Sequence, residues 1–344
     1  MAIYPSGSYG GPKQRNLIWL YLVFSLLIIG GVIAFLYRNP FKTGKGEIAQ
    51  PPPSVKAVGV ENKISSPKAE PKPAPAQPST VEAAEPNSGP VSEADKLIAE
   101  AMACLNTDPP KIIEARDRLK DVLPMITDSR QRAVVKKQLS ELADKWLFSR
   151  TIYPQDKLCG SYQVQPGDLL TTIGAKFKVP YEFLMQINNI QKPQLLRAGE
   201  AIKVANGPFH IKVYRSNFTM DLYLQNTFVR SFTVGLGKPG METPTGLWLV
   251  KADGKLIKPV WTDPVTGKTY QPDSPDYPLG SRWIGLEGLE GNAKGRTGFA
   301  IHGTNDPNQI GAAGSQGCIR LHNGDAVLMY NLLTPGASQV EVVE

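Results

Sequence analysis

The strongest constraint on this chain is an uninterrupted apolar run near its start. Residues 17–37 carry no charged side chain and read LIWLYLVFSLLIIGGVIAFLY. As a helix rising about 1.5 Å per residue, this run would be roughly 31 Å long, which matches the hydrocarbon core of a bilayer. The bulky residues Phe35, Leu36 and Tyr37 at its end do not form the small-residue site at which signal peptides are cleaved. We therefore expect a short tail at 1–16 and a retained transmembrane signal anchor at 17–37.

The segment that follows, 38–90, has the composition of a flexible linker. Within it, residues 49–90 contain ten prolines, no leucine and no aromatic residue. Such a stretch cannot bury enough apolar surface to fold, and its prolines favour extended polyproline II. The linker is expected to tether the rest of the chain at a distance from the membrane.

The net charge of +7 arises from 38 basic and 31 acidic side chains. More than half of the surplus lies in residues 1–48, on both sides of the apolar run. This distribution argues against nucleic-acid binding, which requires a basic face on a folded domain. It also leaves the orientation of the anchor open, because basic residues flank both of its ends.

The three cysteines are Cys104, Cys159 and Cys318, and no CxxC pair occurs. Zinc ribbons and thioredoxin-like motifs are therefore excluded. In an exported chain, we expect Cys104 and Cys159 to form a disulfide, which leaves Cys318 free.

Residues 91–150 show helical periodicity. Ser92 is expected to open a first helix that ends near Leu105, Asp108 a second and Asp128 a third. The third helix has its apolar residues on one face: Val134, Val135, Leu139, Leu142, Trp146 and Leu147. The prediction is a small, tetratricopeptide-like helical segment without chemistry of its own, which serves as a spacer or as a docking site for another protein.

In residues 161–204 the hydrophobic period changes from 2 to 3.6 and back to 2, which predicts a strand, two helices and a strand. The motif residues are Tyr162, Val164, Gly167, Asp168, Leu170, Ile173, Lys176, Phe177, Asn188, Gly199 and Ile202. Their spacing resembles that of the LysM family and departs from it at Pro180, where the family usually has Ser or Thr. The resemblance implies a βααβ module at 161–205 that binds N-acetylglucosamine-containing glycans in a groove between two loops. The candidate glycan-binding residues are Gly167, Asp168, Thr171, Asn188 and Ile190, and a purely structural role stays open for Gly167 and Asn188.

Residues 208–344 predict a mostly-β, sandwich-like domain. Apolar and polar residues alternate from His210 onward, which favours antiparallel strands joined by short turns. One helix is expected at about 324–333, with Asn323 as its N-cap. Residues 252–282, rich in Pro, Gly and Asp, are expected to form a lid over a cleft, with Trp261 and Tyr270 lining it.

The chemistry is concentrated in two short motifs of this last segment. They read Ile301-His302-Gly303-Thr304-Asn305 and Gly314-Ser315-Gln316-Gly317-Cys318-Ile319-Arg320. A thiol that attacks a carbonyl needs a base, and His302 lies in a glycine-flanked turn that suits this role for Cys318. The N–H groups of Gly317 and Cys318 are candidate oxyanion donors. We expect His210 and His322 to be structural, and a zinc site from His302, Cys318 and His322 lacks a fourth ligand.

Both motifs resemble the YkuD-type catalytic domain of L,D-transpeptidases, in which a His is followed by Ser/Thr-x-Gly-Cys-x-Arg/Asn. Gln316 departs from the pattern, since many members have a second His there. The resemblance implies that Cys318 is the nucleophile and that His302 is the general base and later acid. It also implies that the backbone carbonyl of Gly303 orients His302, and that Arg320 binds the substrate carboxylate or shapes the loop. Ser315 belongs to the same motif, and neither a metal nor an organic cofactor is implied.

The parts together indicate a multidomain enzyme anchored in the cell membrane, with its C-terminal bulk outside the cytoplasm. Its expected partners are peptidoglycan stem peptides and glycan strands. By resemblance, it transfers the L-centred third residue of a stem tetrapeptide to an amine, with release of D-Ala, and forms 3–3 cross-links or attaches a protein to the wall. The alternatives are an L,D-carboxypeptidase, in which water replaces the amine, and a non-enzymatic LysM wall anchor. Because the LysM pattern ends before the catalytic strands begin, we also expect removal of 161–204 to weaken binding to insoluble wall material but to leave turnover of small soluble stem peptides nearly intact.

Overall fold

The computed structural model describes residues 92–344. The predicted anchor at 17–37 and linker at 38–90 lie outside these residues. Within the described part, no helix is both long enough and apolar enough to cross a bilayer.

The first folded segment consists of three helices, α1 (Glu93–Leu105), α2 (Ile112–Val122) and α3 (Ser129–Trp146). Ser92 and Asp128 cap α1 and α3 as predicted; the Asp128 carboxylate accepts a hydrogen bond from Gln131 N at 2.7 Å. The predicted start of α2 at Asp108 is wrong. The chain up to Lys111 is used for the turn between α1 and α2, which closes with a 2.9 Å hydrogen bond from Lys111 N to Cys104 O. Val134 is also not on the buried face of α3, since 61% of its surface is exposed.

The second segment has the predicted βααβ order. Its elements are β1 (Cys159–Gln163), α4 (Leu170–Phe177), α5 (Tyr181–Asn188) and β2 (Ala201–Ala205). β1 and β2 pair antiparallel, with Tyr162 opposite Ile202. The two helices place Ile173, Phe183 and Ile187 in the core.

The third segment is mostly β, as predicted, and contains one helix, α6 (Asn323–Leu332). Its longer strands are β3 (Phe209–Tyr214), β4 (Thr219–Leu224), β5 (Thr227–Thr233), β7 (Gly246–Leu256), β10 (Trp283–Gly288), β11 (Phe299–His302) and β14 (Gln339–Val343). Its short strands are β6 (Leu236–Gly237), β8 (Trp261–Thr262), β9 (Thr269–Tyr270), β12 (Ala313–Ser315) and β13 (Ile319–Arg320).

The sheet departs from the predicted antiparallel sandwich. Eight strands form one sheet in the order β13-β11-β10-β7-β14-β3-β4-β5, while β12–β6 and β8–β9 are separate small pairs. Two pairs of neighbouring strands in the large sheet, β11–β13 and β14–β3, are parallel. Parallel pairing requires a crossover, and the crossover from β11 to β13 is residues 303–318, which contain most of the second motif. The crossover therefore brings this motif back beside the end of β11.

A buried lysine joins the helical segment to the second segment, which we call the LysM segment (161–205). Lys203 on β2 is almost completely buried, and its ammonium donates hydrogen bonds to the carbonyls of Trp146, Ser149 and Thr151 at 2.6, 2.8 and 2.8 Å. These carbonyls lie at and beyond the end of α3, where a helix favours a positive charge. The buried ion pair between Arg116 and Asp156, at 2.8 Å, supports the same junction.

The LysM segment also shares a core with the third, catalytic segment (208–344). The rings of Phe183 and Phe209 pack edge to face with centroids 5.2 Å apart. The Thr334 hydroxyl, which follows α6, donates to the carbonyl of Lys178 at 2.9 Å. The three folded segments therefore form one continuous hydrophobic core. This packing contradicts the basis of the prediction that residues 161–204 are a separable module.

The predicted disulfide is wrong, because Cys104 and Cys159 are both free thiols. Cys104 lies on α1 with its sulfur 4.0 Å from a Glu114 carboxylate oxygen. Cys159 is buried on β1 near Lys203, and burial raises the pKa of its thiol to about 12. The two sulfurs thus occupy separate local environments.

Candidate active site

Strand register places the catalytic motifs side by side at one end of the large sheet. His302, the last residue of β11, lies opposite Arg320 on β13 and opposite Trp283 on β10. Cys318 immediately precedes β13, two residues before Arg320. Since side chains along an extended chain alternate between faces, Cys318, Arg320 and His302 project to the same side.

His302 is buried and held by a backbone carbonyl. Its Nδ1 lies 2.6 Å from the carbonyl oxygen of Gly303, the contact that the family resemblance implies. The carbonyl can only accept a hydrogen bond, so Nδ1 carries the proton of the neutral ring and Nε2 has a free lone pair. Burial, together with the smaller effect of the Arg320 charge, lowers the pKa of His302 to about 4. The imidazole is therefore neutral at pH 7 and able to accept a proton.

Cys318 is partly accessible, and its thiol is also neutral at pH 7. Removal of water from around the sulfur raises the pKa of Cys318 to about 11; the Ala300 N–H and the charge of Arg320 oppose this rise. The sulfur lies 4.0 Å from the carbonyl oxygen of Gly298. The resting site is thus a neutral thiol beside a neutral imidazole rather than a thiolate–imidazolium pair.

The loop before Cys318 is closed by Ser315. The buried Ser315 hydroxyl donates to the carbonyl of Cys318 at 2.6 Å and accepts from the Gly317 N–H at 3.0 Å. Gly317 has a φ of +110°, and a Cβ there would lie 2.6 Å from the ring of Phe299, so only glycine fits. The prediction that the Gly317 N–H faces the cleft as an oxyanion donor is wrong, because Ser315 engages it. The Cys318 N–H remains the candidate donor.

Arg320 is fixed through its backbone while its guanidinium keeps free hydrogen-bonding capacity. Its N–H and C=O exchange hydrogen bonds with Gly235 at 2.8 and 2.9 Å. Nη1 lies 3.4 Å from the carbonyl of Gly314, and Nε is buried without a partner in the part of the chain that the structure describes. A fixed cation beside Cys318 and His302 suits a carboxylate ligand.

The β8–β9 hairpin lies within the predicted lid at 252–282. It contacts the loop that precedes Cys318, residues 314–317, which we call the catalytic loop. The Gln316 side-chain amide donates to the Asp263 carboxylate at 3.2 Å. A cavity of about 540 Å³ lies beside this contact; its lining includes Pro264, Val265 and Phe299. Trp261 and Tyr270 instead stack on each other across the hairpin, with centroids 5.9 Å apart. The hairpin tip, rather than the aromatic pair, forms the wall of this cavity.

The other two histidines have surroundings different from those of His302. His210 Nδ1 accepts a hydrogen bond from Gln339 N at 3.1 Å and so joins β3 to β14. His322 is exposed at the N-cap of α6, where its side chain makes no capping hydrogen bond. Asn323, predicted to be this cap, is instead the first residue of the helix. No three His, Cys, Asp or Glu side chains within residues 92–344 are arranged to hold a metal ion.

The structure separates the LysM candidate residues into two groups. Asn188 is buried, and its amide makes three hydrogen bonds of 2.7–2.9 Å, two with the backbone of Lys203 and one with that of Leu184, so its prediction as a glycan ligand is wrong. Asp168 accepts from the Tyr162 hydroxyl at 2.9 Å and from the Gln165 N–H at 2.8 Å and so closes its turn. Gly167, Asp168, Thr171 and Ile190 are all at least partly accessible.

Three side chains of the site were not predicted as site residues. The ring of Trp283 stacks on His302, and Asp263 binds Gln316. Asn323 links two turns beside His302 through its amide. Each of these contacts joins residues that are distant in sequence, so no local motif indicates them.

Comparison with known proteins identifies the families of two of the folded segments. The model of the YkuD L,D-transpeptidase catalytic domain matches residues 208–342, and that of the LysM domain matches residues 162–205. A putative L,D-transpeptidase YkuD of Bacillus subtilis is 30% identical over 185 residues, which cover 51% of this chain and 94% of the relative. A probable L,D-transpeptidase ErfK/SrfK of Escherichia coli is 28% identical over 203 residues, which cover 54% of this chain and 56% of the relative. The chain belongs to the L,D-transpeptidase family, with a YkuD-type catalytic domain preceded by a LysM domain.

Solved structures of L,D-transpeptidases also align with part of the chain. A crystal structure from Mycobacterium tuberculosis is 18% identical, with a TM-score of 0.32, over 43% of this chain and 63% of that one. The catalytic domain of the Enterococcus faecium enzyme, solved by NMR, is 21% identical, with a TM-score of 0.31, over 39% of this chain and 95% of that one.

Proposed function

We propose that this protein is a peptidoglycan L,D-transpeptidase in which Cys318 carries the acyl group between donor and acceptor. The observation that carries the proposal is the 2.6 Å contact between His302 Nδ1 and the Gly303 carbonyl, beside a partly accessible Cys318. This contact leaves Nε2 as the proton acceptor of a neutral ring, which is the form that a general base requires.

In the acylation step, the Cys318 thiol attacks the carbonyl of the L-centred third residue of a stem tetrapeptide. His302 accepts the thiol proton as the S–C bond forms, so that no free thiolate is required in the resting enzyme. The tetrahedral oxyanion is expected to face the Cys318 N–H. Collapse of this intermediate breaks the C–N bond to D-Ala, and His302 returns the proton to the departing amine.

In the second step, the amine of an acceptor attacks the thioester. His302 accepts a proton from the amine, the new C–N bond forms, the C–S bond breaks, and the proton returns to Cys318. A second stem peptide as acceptor gives a 3–3 cross-link, and a protein lysine gives attachment to the wall. Water as acceptor would make the protein an L,D-carboxypeptidase.

Arg320 is the group best placed to recognise a carboxylate of the donor. Its guanidinium has a buried Nε with no partner among residues 92–344, and its charge acts on both Cys318 and His302. A substrate carboxylate would bind the accessible part of this half-buried guanidinium, two residues along the chain from Cys318.

We further propose that residues 17–37 anchor the protein in the cell membrane and that its C-terminal bulk acts outside the cytoplasm, where peptidoglycan lies. The absence of charge over 21 residues supports the anchor, and the wall-directed chemistry of the two matched domains supports the orientation.

Mass spectrometry of the products from purified tetrapeptide muropeptides tests the proposal. A transpeptidase releases D-Ala and yields a tetrapeptide–tripeptide dimer with a 3–3 link, whereas tripeptide alone would indicate hydrolysis. The Cys318→Ala variant is the control and should give neither product. Recovery of unchanged tetrapeptide with the wild-type protein would contradict the proposal.

A further inference from the structure

Asn323 makes a bridge between two turns that flank His302. Its Oδ1 accepts a hydrogen bond from the Ser281 N–H at 2.9 Å, and its Nδ2 donates to the carbonyl of Thr304 at 2.9 Å. The Ser281 hydroxyl adds a third contact, with the Asn323 carbonyl at 3.0 Å. A residue at the start of α6 therefore links the turn before β10 to the turn after β11.

Two glycines pack closely against the Asn323 side-chain amide. A Cβ on Gly280 would lie 2.1 Å from Asn323 Oδ1, and a Cβ on Gly303 would lie 2.2 Å from the same atom. Both distances are far below van der Waals contact, so the amide occupies the space that side chains at 280 and 303 would need. Gly280 also has a φ of +64°, a conformation that favours glycine.

The same two turns present carbonyl groups to His302. The Gly303 carbonyl, next to the Thr304 carbonyl that Asn323 binds, lies 2.6 Å from His302 Nδ1. The backbone of Leu279, two residues before Ser281, raises the pKa of His302. A direct hydrogen bond from Gly303 N to the Arg282 carbonyl, at 3.2 Å, ties the two turns together.

We propose that Asn323 is a positioning residue for His302. By fixing both turns, it holds the Gly303 carbonyl on Nδ1, which keeps the ring in the Nδ1–H tautomer and its Nε2 available to the Cys318 thiol. Asn323 acts through the backbone and through His302, and it does not contact the substrate. The part of the proposal that concerns turnover rests on the proposed function.

The test uses the full chain labelled with ¹⁵N at histidine. The chain has only three histidines, so His210 and His322 act as internal references once single His→Gln variants assign the signals. In the wild type, the His302 nitrogens should show one fixed tautomer, with a proton on Nδ1. In Asn323→Ala, both His302 signals should shift towards averaged tautomers. Asn331→Ala, on the same helix, is the matched control and should leave them unchanged.

Kinetics on the tetrapeptide supply the second measurement. Asn323→Ala should lower kcat by about 10- to 100-fold, since misplacement of a catalytic group costs rate, and should change KM less than twofold. Asn323→Asp keeps the acceptor for Ser281 N but loses the donor to Thr304, so its kcat and tautomer shift should be intermediate. If the alanine variant fails to fold, the aspartate variant decides, and unchanged His302 signals in it would overturn the proposal.

The two measurements separate this proposal from the proposed function. If the wild type does not turn over stem peptides, the proposed function fails, while the ¹⁵N signals still report whether Asn323 fixes the tautomer. A fixed Nδ1–H tautomer in a folded Asn323→Ala variant would overturn the positioning role, whatever the activity of the enzyme. A rise in KM with kcat unchanged would also overturn it, because that result would place Asn323 in substrate binding.

Discussion

The rings of Trp283 and His302 stack nearly parallel across β10 and β11, with centroids 5.6 Å apart and planes inclined by 16°. This stacking covers one face of the imidazole and contributes to the burial that lowers the pKa of His302 to about 4. A neutral His302 over the physiological pH range is the consequence.

Trp283→Ala should therefore move the acid limb of the pH–rate profile to higher pH. Loss of the covering ring admits water, which favours the charged imidazolium, and the pKa of His302 should rise from about 4 towards its ordinary value of 6.5. The profile of kcat/KM against pH for the tetrapeptide measures this limb. Trp283→Phe, which keeps an aromatic cover, should shift it less; an identical limb in wild type and Trp283→Ala would contradict the assignment of that limb to His302.

Cys318 should behave as a thiol with a high pKa towards simple alkylating agents. Since iodoacetamide reacts with the thiolate and the pKa of Cys318 is raised to about 11, its alkylation should accelerate about tenfold for each pH unit between 7 and 9. Mass spectrometry of the peptide containing Cys318 follows the reaction, and buried Cys159 is the internal control. A pH-independent rate between pH 5 and 8 would instead show a thiolate–imidazolium pair.

Replacement of Lys203 should destabilise the whole folded part. Lys203→Met removes the ammonium that satisfies three carbonyls near the end of α3, and we expect the free energy of unfolding to fall by about 3–5 kcal/mol. Lys192→Met, at an exposed site of the same segment, should change it by less than about 0.5 kcal/mol. Urea unfolding monitored by tryptophan fluorescence measures both, and equal midpoints for the two variants would show that the junction contributes nothing.

The contact between Gln316 and Asp263 should affect substrate binding more than turnover. Each single alanine variant releases the hairpin tip from the catalytic loop, and the loss of about 0.5–1.5 kcal/mol should raise KM by roughly 2- to 10-fold. The double variant should be no worse than Asp263→Ala, which removes both this contact and the 2.8 Å hydrogen bond from the Val265 N–H. Exposed Asp273, in the same segment, gives the control variant. Additive effects would mean that the two residues act separately.

The motifs predicted the centre of the site, because a nucleophile loop and a base beside a glycine are local patterns. They indicated Cys318 and His302, and the family resemblance implied the Gly303 carbonyl, which lies 2.6 Å from His302 Nδ1. They did not indicate Trp283, whose contact with His302 depends on the register of β10 against β11. The error at Gly317 has a similar origin, since the Ser315 rotamer determines which acceptor the Gly317 N–H meets.

The fold was predicted well within each segment and poorly between segments. Periodicity predicts helices and strands, and it located the βααβ module and the β3–β5 meander. Hydrophobic periodicity does not indicate which surfaces of the helices and strands pack against one another. The prediction of a separable LysM module therefore overlooked Lys203, Phe183 and Phe209, whose burial depends on neighbouring segments. We now expect removal of residues 161–204 to unfold the protein rather than only to weaken wall binding.

The most direct test of the account is the mass of the protein during reaction with the stem tetrapeptide. We predict an intact-mass increase equal to the tetrapeptide less D-Ala, located by fragmentation on the peptide that contains Cys318 and absent from Cys318→Ala. His302→Ala should form this adduct about 10²- to 10⁴-fold more slowly, whereas His322→Ala should form it at close to the wild-type rate. An acyl group on any other residue, or equal loss of rate in the two histidine variants, would contradict the assignment of Cys318 and His302.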